Sequence, residues 1–254
     1  MIVENEANMN ECKAIIIVGG GSRGLGKSLL DIYQQSGYKG YAFHKREKIA
    51  NVKNKFLDID IRESIEYARE EINEICSKAI HKQISIHFVS GGGLGRNDDN
   101  SSMAKCEDII MHNYLLPAYI TDSLTGNKRA MGSTKKSIEL NYYSSAVTQH
   151  LKGDEHYIGA KAALESYFKS KFVKCGSRII MRLYRLGMME IKHKYFYRLK
   201  TESPVEFKEL LAKNVPSDHF KTSDEVAKVV ASFSIDNSAM NGVICDLSGG
   251  NSWT

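Results

Sequence analysis

Several things are scarce in this sequence. It has three prolines, one tryptophan and five cysteines in 254 residues. The prolines (Pro117, Pro204 and Pro216) are too few and too scattered to make a stiff linker. No low-complexity tract or internal repeat divides the chain, so a single domain over 1–254 is the simplest organisation. The cysteines (Cys12, Cys76, Cys106, Cys175 and Cys245) are odd in number and form no Cys-x-x-Cys pair. They read as free thiols in a reducing cytoplasm, not as a zinc or disulfide framework. The longest apolar run near the start, Ala14 to Val18, is far too short for a membrane span. The opening Met1-Ile2-Val3-Glu4-Asn5-Glu6 has no basic stretch ahead of an apolar one, so a secretory signal is not expected. Charge of one sign is also missing. Lys plus Arg number 35 against 30 Asp plus Glu, a net +5. That suits an acidic or phosphorylated ligand but not the dense basic surface of a nucleic-acid binder. The chain is 42% hydrophobic and 26% charged, enough to bury a core without a staple.

Short β-branched runs alternate with helical stretches. Ala14–Val18 reads as a strand buried on both faces, followed by a helix from Gly24 to Ser36 that Gly37 closes. Tyr41–Phe43 and Lys55–Leu57 are short strands. Ser64–Ile80 carries Ile65, Ala68, Ile72, Ile75 and Ala79 at helical spacing. Strands are expected at Ser85–Val89, Ser137–Ser144, Ile179–Leu183 and Val243–Asp246. Helices are expected at Ile109–Leu124, with Pro117 as a local kink, at Glu155–Lys174 and at Ser223–Phe233. This β-α alternation predicts an α/β fold: a doubly wound parallel sheet with helices on both faces.

The first strand runs into Gly19-Gly20-Gly21-Ser22-Arg23-Gly24-Leu25-Gly26. Glycine lets the backbone approach a ligand, and the helix that follows turns free N–H groups and its dipole toward an anion. A strand, a glycine turn and a helix in that order point to a dinucleotide diphosphate. The spacing Gly20-x-x-x-Gly24-x-Gly26 resembles the cofactor loop of the short-chain dehydrogenases/reductases, a family with a single-domain Rossmann-type fold. Gly19 stands where that family usually has Thr.

An acid some twenty residues beyond the glycines would hold the ribose hydroxyls of NAD. Here the second strand ends in Phe43-His44-Lys45-Arg46. Cations there, with Arg23 in the loop, suit a 2′-phosphate, so NADP is expected over NAD. A solvated turn is the plainer reading of Lys45 and Arg46. Asp58, followed by Ile59, matches the family's contact to the adenine amino group, or else caps the next helix.

Tyr157 and Lys161 are four apart on a helix and share a face. A phenol is a poor acid or base at neutral pH, and a neighbouring ammonium would lower its pKa. Such a pair can move a proton to or from a carbonyl or alcohol oxygen. Ser144 and Ser145 end the fifth strand twelve or thirteen residues earlier. A hydroxyl there could hold the substrate oxygen. The family usually uses the second Ser of such a pair, which selects Ser145, although the loop length keeps Ser144 open. Asn113, with Pro117 four residues on, matches the family's helix Asn, which holds a relay water. The resemblance therefore implies a catalytic set of Asn113, Ser145, Tyr157 and Lys161. It implies cofactor contacts from Gly20, Ser22, Arg23, Gly24, Leu25, Gly26, His44, Lys45, Arg46, Asp58, Ile59, Ser90, Gly91, Gly92, Tyr157, Lys161, Gly187 and Met189.

The pattern departs from the family in two places. Ser90-Gly91-Gly92-Gly93 replaces Asn-Asn-Ala-Gly, so a side-chain brace should be lost and the loop loosened. Leu186-Gly187 replaces Pro-Gly, and Met188 to Ile191 offer no Thr for the nicotinamide amide. His150, Asp154, Glu155 and His156 have no metal-ligand spacing, and no metal is expected. Residues 188–222 occupy the family's substrate lid. There Lys192, His193, Lys194, Arg198 and Lys200 alternate with Tyr195, Phe196 and Tyr197. They could receive an anionic substrate or form the solvated face of an amphipathic lid helix.

The reading is an NADP-dependent oxidoreductase acting on a small carbonyl or alcohol compound, such as a keto-sugar. It has no nucleic-acid or membrane partner. The alternatives are a 3-oxoacyl-[acyl-carrier-protein] reductase and a non-catalytic NADP-sensing regulator. The resemblance implies a homodimer or homotetramer, with Ala162, Ala163, Leu164, Tyr167 and Phe168 available to pack between copies.

Overall fold

The computed structural model describes residues 12–44, 53–56, 61–78, 80–90, 103–126, 136–151, 154–175, 179–190, 195–214, 220–236 and 240–249. Strands β1 (Cys12–Val18), β2 (Tyr38–His44), β3 (Lys53–Phe56), β4 (His81–Phe88), β5 (Ser137–Ser145), β6 (Ile179–Leu186) and β9 (Val243–Leu247) form one sheet. Its order is β3-β2-β1-β4-β5-β6-β9, and every pairing is parallel. All carboxyl ends therefore open on one edge. The strand order reverses between β1 and β4, which is where an open α/β sheet leaves a crevice for a ligand.

Helices cover both faces. Helices α2 (Ile61–Ser77), α4 (Leu116–Gly126) and α6 (Glu155–Cys175) lie on one side. There Ile72, Ile120, Leu164 and Phe168 pack on Ile84, Ile86, Leu140, Tyr142 and Leu183. Helices α1 (Gly24–Gln35) and α9 (Ser223–Asp236) lie on the other. There Leu29, Tyr33, Ala227 and Val230 pack on Ile15, Ile17, Tyr143 and Tyr184. Strand β1 has neighbours on both faces, and Ala14 to Val18 are fully buried. That burial explains its unbroken apolar run.

Some elements differ from the sequence reading, for physical reasons. Strand β4 begins at His81, four residues before Ser85, because buried polar groups find partners there. The Tyr41 hydroxyl lies 3.0 Å from His81 Nε2. Strand β6 runs past Leu183 to Leu186 because the carboxylates of Glu139 and Glu165 pair with Arg182 and Arg185. Helix α1 ends as expected at Gly37, whose φ of +83° suits glycine.

The expected helix Ile109–Leu124 begins earlier, as α3 (Met103–Ile110), and Pro117 does not kink its middle. A π-helical turn, Met111–Leu115, intervenes, and Pro117 sits in the first turn of α4, where its missing N–H is tolerated. The lid region holds two helices, α7 (Tyr195–Glu202) and α8 (Pro204–Asn214), beside a two-stranded sheet of β7 (Met189–Glu190) and β8 (Lys221–Thr222). Leu199, Phe207 and Phe220 make its small core. A short helix, α5 (Val147–His150), links β5 to α6.

Two residues expected to pack between copies are used within the chain. Leu164 and Phe168 lie in the core under α6. The Tyr167 hydroxyl bonds within the chain too, 2.8 Å from Asp122 Oδ1.

Candidate active site

The glycine turn leaves β1 at the strand-order reversal. Gly19 has φ +92°, and a Cβ there would fall 2.2 Å from Ser90 Cβ. The Thr that the resembled family places here would not fit, because β1 and β4 approach too closely. A Cβ on Gly26 would fall 1.6 Å from the Gly20 carbonyl oxygen, so only glycine lets α1 start so close to the turn. Gly24 has φ +57°, while Gly20 faces open space.

Arg23 is exposed at the N-cap position, and its side chain makes no capping hydrogen bond. The first turn of α1 holds no acid. The turn thus offers helix N–H groups, a positive dipole end and a cation, with no carboxylate to repel phosphate. Ser22 is half-buried beside it. Leu25 is a core side chain, so only its N–H is free to face a ligand. These features fit a dinucleotide diphosphate.

His44 ends β2. Lys45, Arg46, Asp58, Ile59, Gly91 and Gly92 lie outside the described residues. Ser90 Oγ donates to the His112 carbonyl at 2.6 Å and ties the end of β4 to the π-turn. Gly187 packs against the Ser248 backbone, where a Cβ would meet the carbonyl oxygen at 2.4 Å. Met189 is half-buried in β7 and packs on the α1/α9 side of the sheet.

Asn113 is buried in the π-turn, with Nδ2 donating to the Ile109 carbonyl at 2.9 Å. A regular helix would aim the N–H of residue 117 at the Asn113 carbonyl, and Pro117 has none. Such local widening often accompanies functional positions.

Tyr157 and Lys161 share one face of α6, with Lys161 Nζ 5.6 Å from the Tyr157 ring centre. Asp154 starts the helix by accepting from the Tyr157 N–H at 2.9 Å. Asp154 thus serves as the helix cap in this loop. Among the described residues no three or more His, Cys, Asp or Glu side chains gather to hold a metal.

Lys161 is buried and donates to the Tyr143 carbonyl at 2.7 Å. Burial pulls its pKa down to about 7. Burial pushes the Tyr157 phenol up to about 12, against a smaller lowering by a hydrogen bond from Ser145. The sequence reading expected Lys161 to lower that pKa. Desolvation weakens the Lys161 ammonium and dominates the phenol.

The two serines separate clearly. Ser145 lies close enough to Tyr157 to lower its phenol pKa, and its Oγ accepts from the Val147 N–H at 3.5 Å. Ser144 is buried and donates to Glu165 Oε1 at 2.7 Å. Sequence reasoning missed Glu165, Arg185 and Thr148. The signal for Glu165 was present: Tyr157, Lys161 and Glu165 repeat at four-residue spacing along one helical stripe. In the lid, Arg198 is exposed and Lys200 pairs with Glu190 at 3.0 Å. Lys192, His193 and Lys194 lie outside the described residues.

No protein-family model and no curated protein matches the sequence. Solved structures do match in shape. The ligand-free aldohexose dehydrogenase of Thermoplasma acidophilum is 16% identical with a TM-score of 0.75, covering 96% of this chain and 95% of that one. L-sorbose reductase of Gluconobacter frateurii, complexed with NADPH and L-sorbose, is 15% identical with a TM-score of 0.74, covering 97% and 99%. A short chain dehydrogenase family protein of Francisella tularensis is 15% identical with a TM-score of 0.71, covering 96% and 100%. No described helix is long and apolar enough to cross a membrane. The order of the strands, the glycine turn at their reversal and these neighbours agree: this chain has the fold of the short-chain dehydrogenases/reductases.

Proposed function

We propose that this chain is an NADP-dependent oxidoreductase that reduces a carbonyl group on a small polar or anionic compound, a keto-sugar being the favoured class. The observation that carries the reading is the grouping of Ser145, Tyr157 and Lys161 at the carboxyl edge of the sheet, beside the Asn113 π-turn and on the same edge as the glycine turn. Gly20, Ser22, Arg23, Gly24 and Gly26, with the N–H of Leu25, would hold the diphosphate. Ser90, Gly187 and Met189, which follow the carboxyl ends of β4 and β6, are assigned to the cofactor as well. Arg23, with Lys45 and Arg46 after β2, favours a 2′-phosphate. Asp58 and Ile59 are assigned to the adenine, and Gly91 and Gly92 to its ribose.

When bound, NADPH would supply the hydride. The protein's part is the proton. A phenol with its pKa near 12 is protonated at any working pH, which suits a donor in carbonyl reduction. The Ser145 and Tyr157 hydroxyls would both donate to the substrate oxygen, and Tyr157 would give up its proton as negative charge grows there. Lys161, protonated, steadies the resulting phenolate. Asn113 and the backbone of its π-turn would anchor the water that returns a proton. The sugar class is supported by two similar folds whose names specify an aldohexose and L-sorbose.

The test is turnover of a panel of keto-sugars with NADPH, for wild type and Tyr157→Phe. The expected result is wild-type turnover that falls at least about a hundredfold in the variant with NADPH affinity retained. Cofactor binding with no wild-type turnover on the panel would overturn it and favour a cofactor-sensing regulator.

A further inference from the structure

Glu165 takes no part in the proton chemistry just described, yet it is among the most heavily bonded side chains near it. It lies one turn beyond Lys161 on α6 and is 6% exposed. Its carboxylate gathers three neighbours. Oε1 accepts from Ser144 Oγ at 2.7 Å and from Arg185 Nε at 3.0 Å. Oε2 accepts from Arg185 Nη2 at 2.7 Å, completing a two-point contact. Thr148 Oγ1 lies 2.9 Å from Oε1 and 2.8 Å from the Ser145 carbonyl, so its single proton is shared between them.

Ser144 and Thr148 bracket Ser145 in sequence. The next N–H, that of Ala146, is fixed to the Leu186 carbonyl at 2.9 Å. Three elements therefore meet at one carboxylate: the end of β5, the start of α5 and the end of β6. The helix that supplies the carboxylate also supplies Tyr157 and Lys161.

We propose that Glu165, held by Arg185, is a positioning residue that clamps the end of β5 and so aims the Ser145 hydroxyl at Tyr157. The proposal rests on the reading of Ser145 and Tyr157 as the groups that meet the substrate oxygen. The clamp also explains the choice between the serines: the proton of Ser144 is committed to Glu165, and that bond fixes the strand from which Ser145 projects.

Two measurements test the clamp, and one needs no turnover. The first is amide hydrogen exchange on wild type and Glu165→Gln, with residues 144–150 compared with β4 and α1. The expected result is roughly tenfold faster exchange over 144–150 and no change in β4 or α1. Unchanged exchange over 144–150, or acceleration across the whole sheet, would overturn the proposal.

The second is a double-mutant cycle in kcat for Glu165→Gln and Ser145→Ala. Glu165→Gln should lower kcat by about ten- to a hundredfold with KM and NADPH affinity unchanged. In the Ser145→Ala background it should cost less than about twofold more, because its effect runs through Ser145. Glu165→Asp should restore part of the loss. Fully multiplying effects, or an equal loss of cofactor affinity, would contradict the clamp. If wild type shows no carbonyl turnover at all, the proposed function fails, and the exchange experiment still decides the clamp.

Discussion

Strand β6 carries two arginines, each paired with a buried glutamate on opposite faces of the sheet, and the two pairs behave differently. Arg182 faces the α1/α9 side and meets Glu139 through one contact of 3.4 Å, with the arginine side chain fully buried and the glutamate 3% exposed. Ser85 Oγ and Gln83 Nε2 are about as distant, at 3.4 Å and 3.5 Å, and Ser234 adds a further hydrogen bond. Burial prevails there and lifts the Glu139 pKa, despite the lowering by Arg182 and by hydrogen bonds from Ser234, Gln83 and Ser85. Arg185 faces α6 and grips Glu165 at two points, with Ser144 and Thr148 adding short bonds. Burial also raises the Glu165 pKa, but these donors outweigh it and leave the carboxyl below its usual range. Glu165 keeps its charge because the short two-point Arg185 contact and the Ser144 and Thr148 hydroxyls outweigh a burial less complete than that of Glu139. The well-gripped pair lies beside the candidate site and the loosely gripped one lies in the middle of the sheet.

The largest expected effect comes from removing one member of the dry pair. Arg182→Met should cost roughly 3–5 kcal/mol in denaturant unfolding, because Glu139 loses the buried cation it pairs with. Arg185→Met should cost less, about 1–3 kcal/mol, because Glu165 keeps Ser144 and Thr148 and is closer to solvent. The reverse order would break the comparison. Replacing both members sharpens it. Glu139→Leu with Arg182→Met should return to within about 1 kcal/mol of wild type, since a dry ion pair gives little net stability. Glu165→Leu with Arg185→Met should fold yet lose turnover.

The pH dependence of stability should differ in sign. Glu165 has a lowered folded pKa, so its contribution is present above the unfolded carboxylate pKa and is lost as pH falls through the folded one. Glu139 has a raised folded pKa, so its contribution is present below the unfolded value and is lost as pH rises through the folded one. Unfolding curves of the two Glu→Gln variants against wild type, taken across the acid range, should separate the two slopes. Equal signs would refute the assignment.

A further pH-dependent effect is expected at His87. Its Nδ1 lies 2.7 Å from the Tyr143 hydroxyl and its Nε2 2.9 Å from Ser85 Oγ. Burial first, and the Arg182 charge second, pull its pKa down to about 3. The stability it adds is present above its unfolded pKa of 6.5 and is lost as pH falls toward about 3. His87→Gln should flatten that part of the curve.

The same two pairs mark how far the sequence could be read. Local patterns sufficed for β1, the glycine turn and α1, because burial on both faces and positive φ leave direct traces in residue type. They also sufficed for Tyr157 and Lys161, which one helix brings together. Ser145 could be favoured over Ser144 only by analogy, because the reason lies in Glu165, on another element. The ends of β4 and β6 were misread for a related cause. Histidine and arginine in a strand look like its end unless the partner is known, and the partners of His81 and Arg185 lie 40 and 20 residues away. The direction of the Tyr157 pKa was likewise unreadable, because it depends on how dry the site is. The π-turn was missed although Pro117 stands four residues after Asn113. Proline was read as a kink, and the widening fell on the turn before it.

The central claim is that the crevice at the strand-order reversal holds a phosphorylated nicotinamide dinucleotide. The most direct test is calorimetric titration of the wild-type chain with NADPH and, separately, with NADH. The account predicts one NADPH site per chain, tighter than NADH by about tenfold, or roughly 1.4 kcal/mol. A folded protein that binds neither would contradict it.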